Sequence, residues 1–500
     1  MQELFMKKNE QLRFELLKLL IYSKKGLPTN EVSQKLSIPN HSFYIYRSQL
    51  EDDLASAFKD NSVILEKKET DYLITSTLNT SYIIDTMRLY YIKISQTFSI
   101  LNALSYRYYD SAEELSQNLN LSLSHTYKIL GLFNKLLEPF DISINFSSKK
   151  KQSNIIGNEQ NRRLVMFYVY WSVYKGIEWP FNFLPTSLQS LPVPINSQLL
   201  SPSQKARLNY FQSITYWHLS YKLELISLSK DFLPYLKIFQ QVSPTSFADI
   251  IKDSLRKRHV SDEHIYEEEL FFGFLARFFI SNIDSPTNKI LITTMLIESS
   301  LPIATFTSRF LNDFLKKYNV SLTQESYSTS YYLIIIHLFY VKFFNIDSPF
   351  SEISDDIPIM AETSDGLFQI HEAELTKFIH KNWNSELFPS ISTIPSLVTY
   401  LAKLLYLVLI TSNKHRPLNV LIQHSKSIYG YDLIKNILLI FFKDTTLRIT
   451  FDINEADIII SDSFEKNSDK PFFYFEHPED SEAWKNLISF ISKELYFLLT

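Results

Sequence analysis

The sequence predicts a mainly α, multidomain protein: tandem winged helix-turn-helix domains, then two helical bundles, then a small C-terminal α/β domain. Three observations carry this. Apolar residues recur at helical spacing over most of the chain. Only seven glycines occur in 500 residues, which suits helices and disfavours glycine-rich nucleotide folds. After residue 413 the pattern changes to short apolar runs bounded by turns, mixed with helices. The length exceeds a single core, since domains hold roughly 100–200 residues. The boundaries expected are 1–80, 81–160, 161–285, 286–412 and 413–500.

Residues 9–23 carry Leu12, Phe14, Leu16, Leu17, Leu19 and Leu20, close to a helical stripe. Gly26 and Pro28 break it. A short amphipathic stretch, Glu31 to Leu36, leads through "SIPN" to a helix from Asn40 to about Phe58, with Phe43, Tyr46 and Leu50 on one face. "SVILEKKETDYLITS" (62–76) alternates like a hairpin around a charged turn. Helix, short helix, turn, helix, hairpin is the order of a winged helix-turn-helix.

The order then repeats. "TFSILNALSYRYY" (97–109) is helical, and "DSAEELSQNLN" (110–120) opens with Ser111 and Glu114 spaced for a capping box, each side chain on the other's backbone N–H. "LSLSHTYKILGLFNKLLEPF" (121–140) is a longer helix stopped by Pro139. Ser122 stands where an N-cap is wanted. Thr126, Ile129, Phe133 and Leu136 share one face, leaving Ser124, His125, Tyr127 and Lys128 opposite. A recognition helix needs that division: one face packed, the other small and polar enough for the major groove of double-stranded DNA. The hairpin 141–158 carries Lys149, Lys150 and Lys151 at its tip, placed to meet the phosphate backbone. In the first unit Asn40, His41, Tyr44 and Arg47 hold equivalent places, although its wing mixes Glu66, Lys67, Lys68 and Glu69.

Residues 160–412 read as ten helices, at 160–176, 203–228, 229–241, 246–259, 262–282, 288–298, 302–318, 324–345, 366–382 and 395–412. They suggest two bundles divided near "SNIDSPTN" (281–288). The last module reads as strand 418–423, helix 431–442, strands 446–452, 456–462 and 471–476, and a closing helix.

Composition excludes several functions. No cysteine is present, so disulfides, thiolate zinc sites and cysteine nucleophiles are absent. Neither G-x-G-x-x-G nor G-x-x-x-x-G-K-[ST] occurs, and "HEAEL" (371–375) lacks the second histidine of H-E-x-x-H. No enzyme activity, cofactor or metal is expected. Charges interrupt the N-terminal apolar stretch, so no secretory signal is expected. The apolar runs 331–340 and 400–410 are shorter than the roughly 20 residues a membrane crossing needs. Residues 1–170 hold 21 Lys and Arg against 18 Asp and Glu in a chain of net charge −4, so the N-terminal third is the part suited to an anionic partner.

Two histidines, His218 in "ITYWHLSYKLELI" and His337 in "YYLIIIHLFYVKF", are flanked by apolar residues inside helices. Each is either a hydrogen-bonded core residue or a phosphoryl acceptor, and gaining about −1.5 to −2 charge there would alter helix packing. His424 follows the first strand of the last module, where open α/β sheets bind ligands, although a scaffold or dimerisation role is expected for it.

This order of parts resembles the Mga/AtxA family of virulence and global transcriptional regulators of Gram-positive bacteria. The best-matching residues are "LPTNEVSQKLSIPNHSFYIYRSQLEDDL" and "YDSAEELSQNLNLSLSHTYKILGLFNKLL". The resemblance implies two N-terminal winged helix-turn-helix domains, two PTS-regulation domains (PRDs) and a C-terminal domain similar to the B component of sugar phosphotransferase enzyme II (EIIB-like). It also implies a cytoplasmic homodimer or higher oligomer tuned by phosphorylation of His218 and His337 from a PTS phosphocarrier protein. Trp217 replaces the aspartate that precedes the histidine in the PRD motif, and the last module lacks the phosphate-carrying cysteine of many B components. The alternatives are a PRD-containing RNA-binding antiterminator and a phosphotransferase system component.

Overall fold

A computed structural model of the chain describes residues 5–23, 25–58, 60, 62–146, 153–182, 184, 200–222, 225–344, 346–347, 366–411, 417–424, 429–443, 446–463, 470–475 and 477–499. They are mainly helical and fall into two compact units, Met1–Leu301 with Ile336–Asp356, and Pro302–Ile335 with Ile357–Thr500.

The first unit opens with α1 (Lys8–Tyr22), β1 (Leu27–Pro28), α2 (Thr29–Lys35), α3 (Asn40–Ala57) and the hairpin β2 (Val63–Lys68) and β3 (Asp71–Ser76). The Glu10 carboxylate accepts from the Lys7 N–H, filling one of the donors that a helix start leaves open. Val63 and Leu65 are buried while Ile64 is exposed, the alternation of a sheet with one wet face. The antiparallel sheet runs β1-β3-β2. Helix α4 (Thr80–Lys93), which the periodicity reading passed over, follows with Asn79 as its cap. Arg13 on α1 donates to Asp53 on α3 (2.6 Å), and the Tyr91 hydroxyl on α4 donates to the same carboxylate oxygen (2.7 Å). Burial, then Asp53, push the Tyr91 phenol well above its ordinary range, so it stays a donor and ties three helices together.

Next come α5 (Gln96–Tyr106), α6 (Ala112–Asn118), α7 (Leu123–Leu137), a 3-10 turn (Glu138–Phe140) and the antiparallel pair β4 (Ile142–Ile144) and β5 (Ile155–Gly157). Gly157 sits at φ 150°, where a Cβ would stand 2.3 Å from the Asp141 carbonyl oxygen, so the close approach of these strands requires glycine. Helix α8 (Glu159–Tyr174) is buried on nearly every side. Its first turn carries charge inward. Arg163, with no exposed side chain, donates to Glu159 (2.6 Å) and through two nitrogens to Glu268, while Arg162 donates to the Ile155 carbonyl (3.0 Å).

Helices α9 (Pro202–Trp217), α10 (Leu233–Val242), α11 (Phe247–Arg256), α12 (Asp262–Phe279) and α13 (Pro286–Glu298) complete the unit, with Phe339 and Phe343 packed on Phe232. The continuous helix expected over 203–228 is corrected. The α-helix stops at Trp217, a π-turn runs from His218 to Lys222, and residues 225–228 are not helical. Carboxylates of α12 take backbone donors that a helix would use: Ile226 N–H donates to the buried Glu268 (2.9 Å) and Leu228 N–H to the half-buried Glu267 (3.2 Å).

The second unit contains α14 (Pro302–Lys317), the start of α15 (Gln324–Phe343), α16 (Gly366–Asn382) and α17 (Pro395–Thr411). Phe310 and Phe314 of α14 meet Phe378 of α16 at 5.3 Å between ring centroids. A four-stranded parallel sheet follows, ordered β7-β6-β8-β9, from β6 (Leu418–Gln423), β7 (Leu447–Thr450), β8 (Ile458–Ser461) and β9 (Phe472–Tyr474). Helices α18 (Gly430–Phe441) and α19 (Ser481–Leu499) cover it, with Ile434, Leu438, Leu487 and Ile491 against Val420, Ile422 and Ile458. Among the described residues no single helix is long and apolar enough to cross a membrane.

Removing one partner of the buried ionic cluster strands a charge, so Arg163→Ala is expected to lower the stability of the first unit by about 3–5 kcal/mol in urea unfolding. Burial works against the Glu159 charge, but His218, Arg163 and Arg162 outweigh it and hold the carboxyl below the ordinary range. Its contribution is therefore complete above the unfolded value of about 4.3 and is lost as pH falls. Acid titration of unfolding should show this component in the wild type and lose it in Glu159→Gln.

Candidate nucleic-acid interface

Helix α6 starts at Ser111, whose hydroxyl accepts from the Glu114 N–H (3.2 Å). The reciprocal half of the expected capping box differs. Glu114 accepts from the Asp110 N–H (2.8 Å) and pairs with Arg107 (2.6 Å), which draws the carboxylate one residue back. The helix closes with Leu119 N–H on Leu115, Asn120 turns left-handed at φ 52°, and Leu121 N–H donates to the Ser116 carbonyl (2.9 Å). Asparagine tolerates that conformation better than most residues. Ser122 then caps α7 by accepting from the His125 N–H (3.3 Å).

The buried face of α7 is Thr126, Ile129, Leu130, Phe133 and Leu137. Leu136, expected on it, is 41% exposed, because a 3.6-residue period drifts from 136 to 137 by the fourth turn. Ser124, Tyr127 and Lys128 face solvent, as a groove-reading helix requires. His125 lies at the margin, half-buried, and its Nε2 makes no hydrogen bond among the described residues. The Tyr127 hydroxyl donates to Glu113 on α6 (3.3 Å). Lys149, Lys150 and Lys151 lie outside the described residues.

The first element repeats this geometry residue by residue. Ser37 takes the left-handed turn at φ 53°, and Ile38 N–H donates to the Ser33 carbonyl at 2.9 Å, matching Asn120, Leu121 and Ser116. The register sets Tyr44 on Tyr127, His41 on Ser124 and Ile45 on Lys128. Tyr44 and Tyr127 are 52% and 53% exposed. Asn40 donates to Asn30 on α2 (2.8 Å), and His41 is exposed with its Nε2 3.3 Å from the Ser42 hydroxyl. Arg47 aligns with the buried Leu130, is half-buried, lies over the Tyr72 ring (5.6 Å) and approaches Glu51 (3.5 Å). Ile45, 54% exposed, stands in its place on the outward face. The ungapped match of "EVSQKLSI" to "ELSQNLNL" is the signal that fixes this register.

Both singled-out bundle histidines are buried. His218 is 2% exposed with Nδ1 2.9 Å from Glu159, and His337 on α15 is 3% exposed. His424 sits at the carboxyl end of β6, its Nδ1 3.8 Å from Asp462 at the end of β8. No group of three or more metal-ligating side chains occurs among the described residues.

Residues 81–170 match the family model described as the Mga helix-turn-helix domain. A protein of Streptococcus pneumoniae serotype 4, provisionally described as a trans-acting regulator, is 27% identical over 198 residues, 38% of this chain and 36% of the relative. The chain thus spans about a third of that relative's length. The matched segment holds α6 and α7, so this element is of the Mga helix-turn-helix type.

Because the Ser122 hydroxyl satisfies an orphan helix donor and Lys128 is exposed, Ser122→Ala is expected to cost about 0.5–2 kcal/mol. Lys128→Ala should change stability by less than about 0.5 kcal/mol. Thermal melting of both variants checks this.

Proposed function

We propose that this chain, carrying a Mga helix-turn-helix domain in residues 81–170, is a DNA-binding transcriptional regulator and not an enzyme. One observation carries the reading: α7 is capped and packed on its apolar side while Ser124, Tyr127 and Lys128 face outward from its first two turns. Lys128 and the lysines at 149–151 supply phosphate attraction, and the hydroxyls of Ser124 and Tyr127 contact phosphates or base edges. The first element, with Asn40, His41 and Tyr44 outward, adds a second contact of lower charge.

The proposal extends to the rest of the chain. Residues 161–285 and 286–412 are read as PRD-like bundles and 413–500 as an EIIB-like domain, acting in the cytoplasm as a homodimer or higher oligomer. Paired recognition helices lengthen the site and tighten binding. Phosphorylation of His218 and His337 by a PTS phosphocarrier protein is the proposed signal. At His218 the added charge would face the Glu159 carboxylate 2.9 Å from Nδ1, so modification and the closed ionic cluster exclude each other.

Gel shifts with duplex DNA and hairpin RNA across a salt series test the reading. Duplex DNA is expected to bind, with affinity falling as salt rises. Lys128→Ala should reduce the salt slope by about one if the lysine grips phosphate, or cost about 1–3 kcal/mol at particular sequences if it meets a base. Preference for the RNA would favour an antiterminator, and failure to bind any duplex at low salt would sink the proposal. Incubation with labelled phosphoenolpyruvate and the general phosphotransfer proteins should label the wild type, less so His218→Ala or His337→Ala alone, and not the variant carrying both substitutions.

A further inference from the structure

Glu113 lies on α6, outside the set of residues expected to meet DNA, yet its carboxylate stands on the reading face. Its Oε1 accepts the Tyr127 hydroxyl at 3.3 Å, and both side chains are exposed. The register of the two elements places Asn30 at the same position as Glu113. Asn30 also braces its reading helix, accepting from Asn40 at 2.8 Å. The position therefore supports the outward face in both copies. In one copy the brace is neutral, and in the other it carries a full negative charge.

That charge persists at neutral pH. The Glu113 backbone N–H, then the Ser111 hydroxyl, hold the carboxyl below its ordinary range, and its charge in turn raises the Tyr127 phenol. A carboxylate beside Tyr127 and Lys128 opposes any phosphate that approaches the helix. It accepts hydrogen bonds only, and the base-edge donors in the major groove are the amino groups of cytosine and adenine. A duplex without a suitable amino group in reach meets the repulsion with no compensation.

We infer that Glu113 is a specificity-determining residue of the second element, an acidic selector that weakens binding to DNA in general and spares duplexes presenting a base amino group to it. The inference rests on the DNA-binding reading above. It separates two tasks on one surface: Lys128 attracts the polyanion, and Glu113 makes that attraction conditional. The neutral Asn30 gives the first element no such filter.

Glu113→Gln tests it in the full chain, because the amide oxygen can still accept the Tyr127 hydroxyl while the charge is gone. Binding is measured across salt to a duplex enriched from a random pool by the wild type, and to a scrambled duplex of equal length. Glu113→Gln is expected to bind the scrambled duplex about three- to tenfold more tightly at low salt, with a salt slope steeper by up to about one. The enriched duplex should gain less, so the specificity ratio falls. Glu113→Ala, which also removes the brace, should lose ratio at least as far, with thermal melting confirming that both variants fold. Equal shifts on both duplexes, or none, would overturn the selector and leave the DNA-binding reading standing. A wild type that binds neither duplex would overturn both.

Discussion

Arg163 is the constraint around which the first unit is arranged. A guanidinium with no exposed surface cannot shed its charge, so its carboxylate partners must be brought to it from elsewhere in the chain. Glu159 comes from the preceding turn, Glu268 from α12 more than a hundred residues away, and His218 joins through Glu159. Arg162, the adjacent residue, reaches back to the strand β5. Helix α8 is thereby tied to the hairpin before it and to the bundle after it by the same turn. Such a cluster is a poor source of net stability compared with apolar packing of equal volume. Its effect is geometric, because charges and their donors match in few arrangements while methyl groups match in many.

Much of the fold was legible in the sequence because its stripes are clean. Phe310 and Phe314 on α14, or the four buried residues of β8, announce their elements by period alone. The misses have specific causes. Helix α4 buries Arg88 at 2% exposure among its apolar residues, so a polar residue stands where the stripe should continue. Residues 225–228 are not helical, and Glu267 and Glu268 take the N–H groups of Leu228 and Ile226, a competition set by residues distant in sequence. Arg47 gave no sign in the sequence of its tyrosine neighbour, because Tyr72 comes from the hairpin 25 residues further on.

The interface was half legible. Ser124, Tyr127 and Lys128 could be assigned outward from helical spacing, since a capped helix with a strong apolar side leaves little choice for the other. Glu113 could not, because it belongs to the neighbouring helix and joins the face only through the Tyr127 hydroxyl. The modest charge of the surface has its own consequence. With 21 cationic against 18 acidic side chains in residues 1–170, attraction to a polyanion is local rather than general, and positioning must come from many contacts held in register.

The paired turns, Ser37 with Ile38 and Asn120 with Leu121, record more than a shared shape. Buried Ser33 and Ser116, and the exposed Tyr44 and Tyr127, occupy matching places in both copies, while Ile45 stands opposite Lys128 and Asn30 opposite Glu113. The turns and the buried serines are shared, while the outward residues and several buried ones, Phe43 against Thr126 and Leu50 against Phe133, differ between the copies. Buried positions must change together to keep their packing, whereas the outward positions can change one at a time. A chain built this way can acquire a new target through one copy while the other keeps hold of the old one.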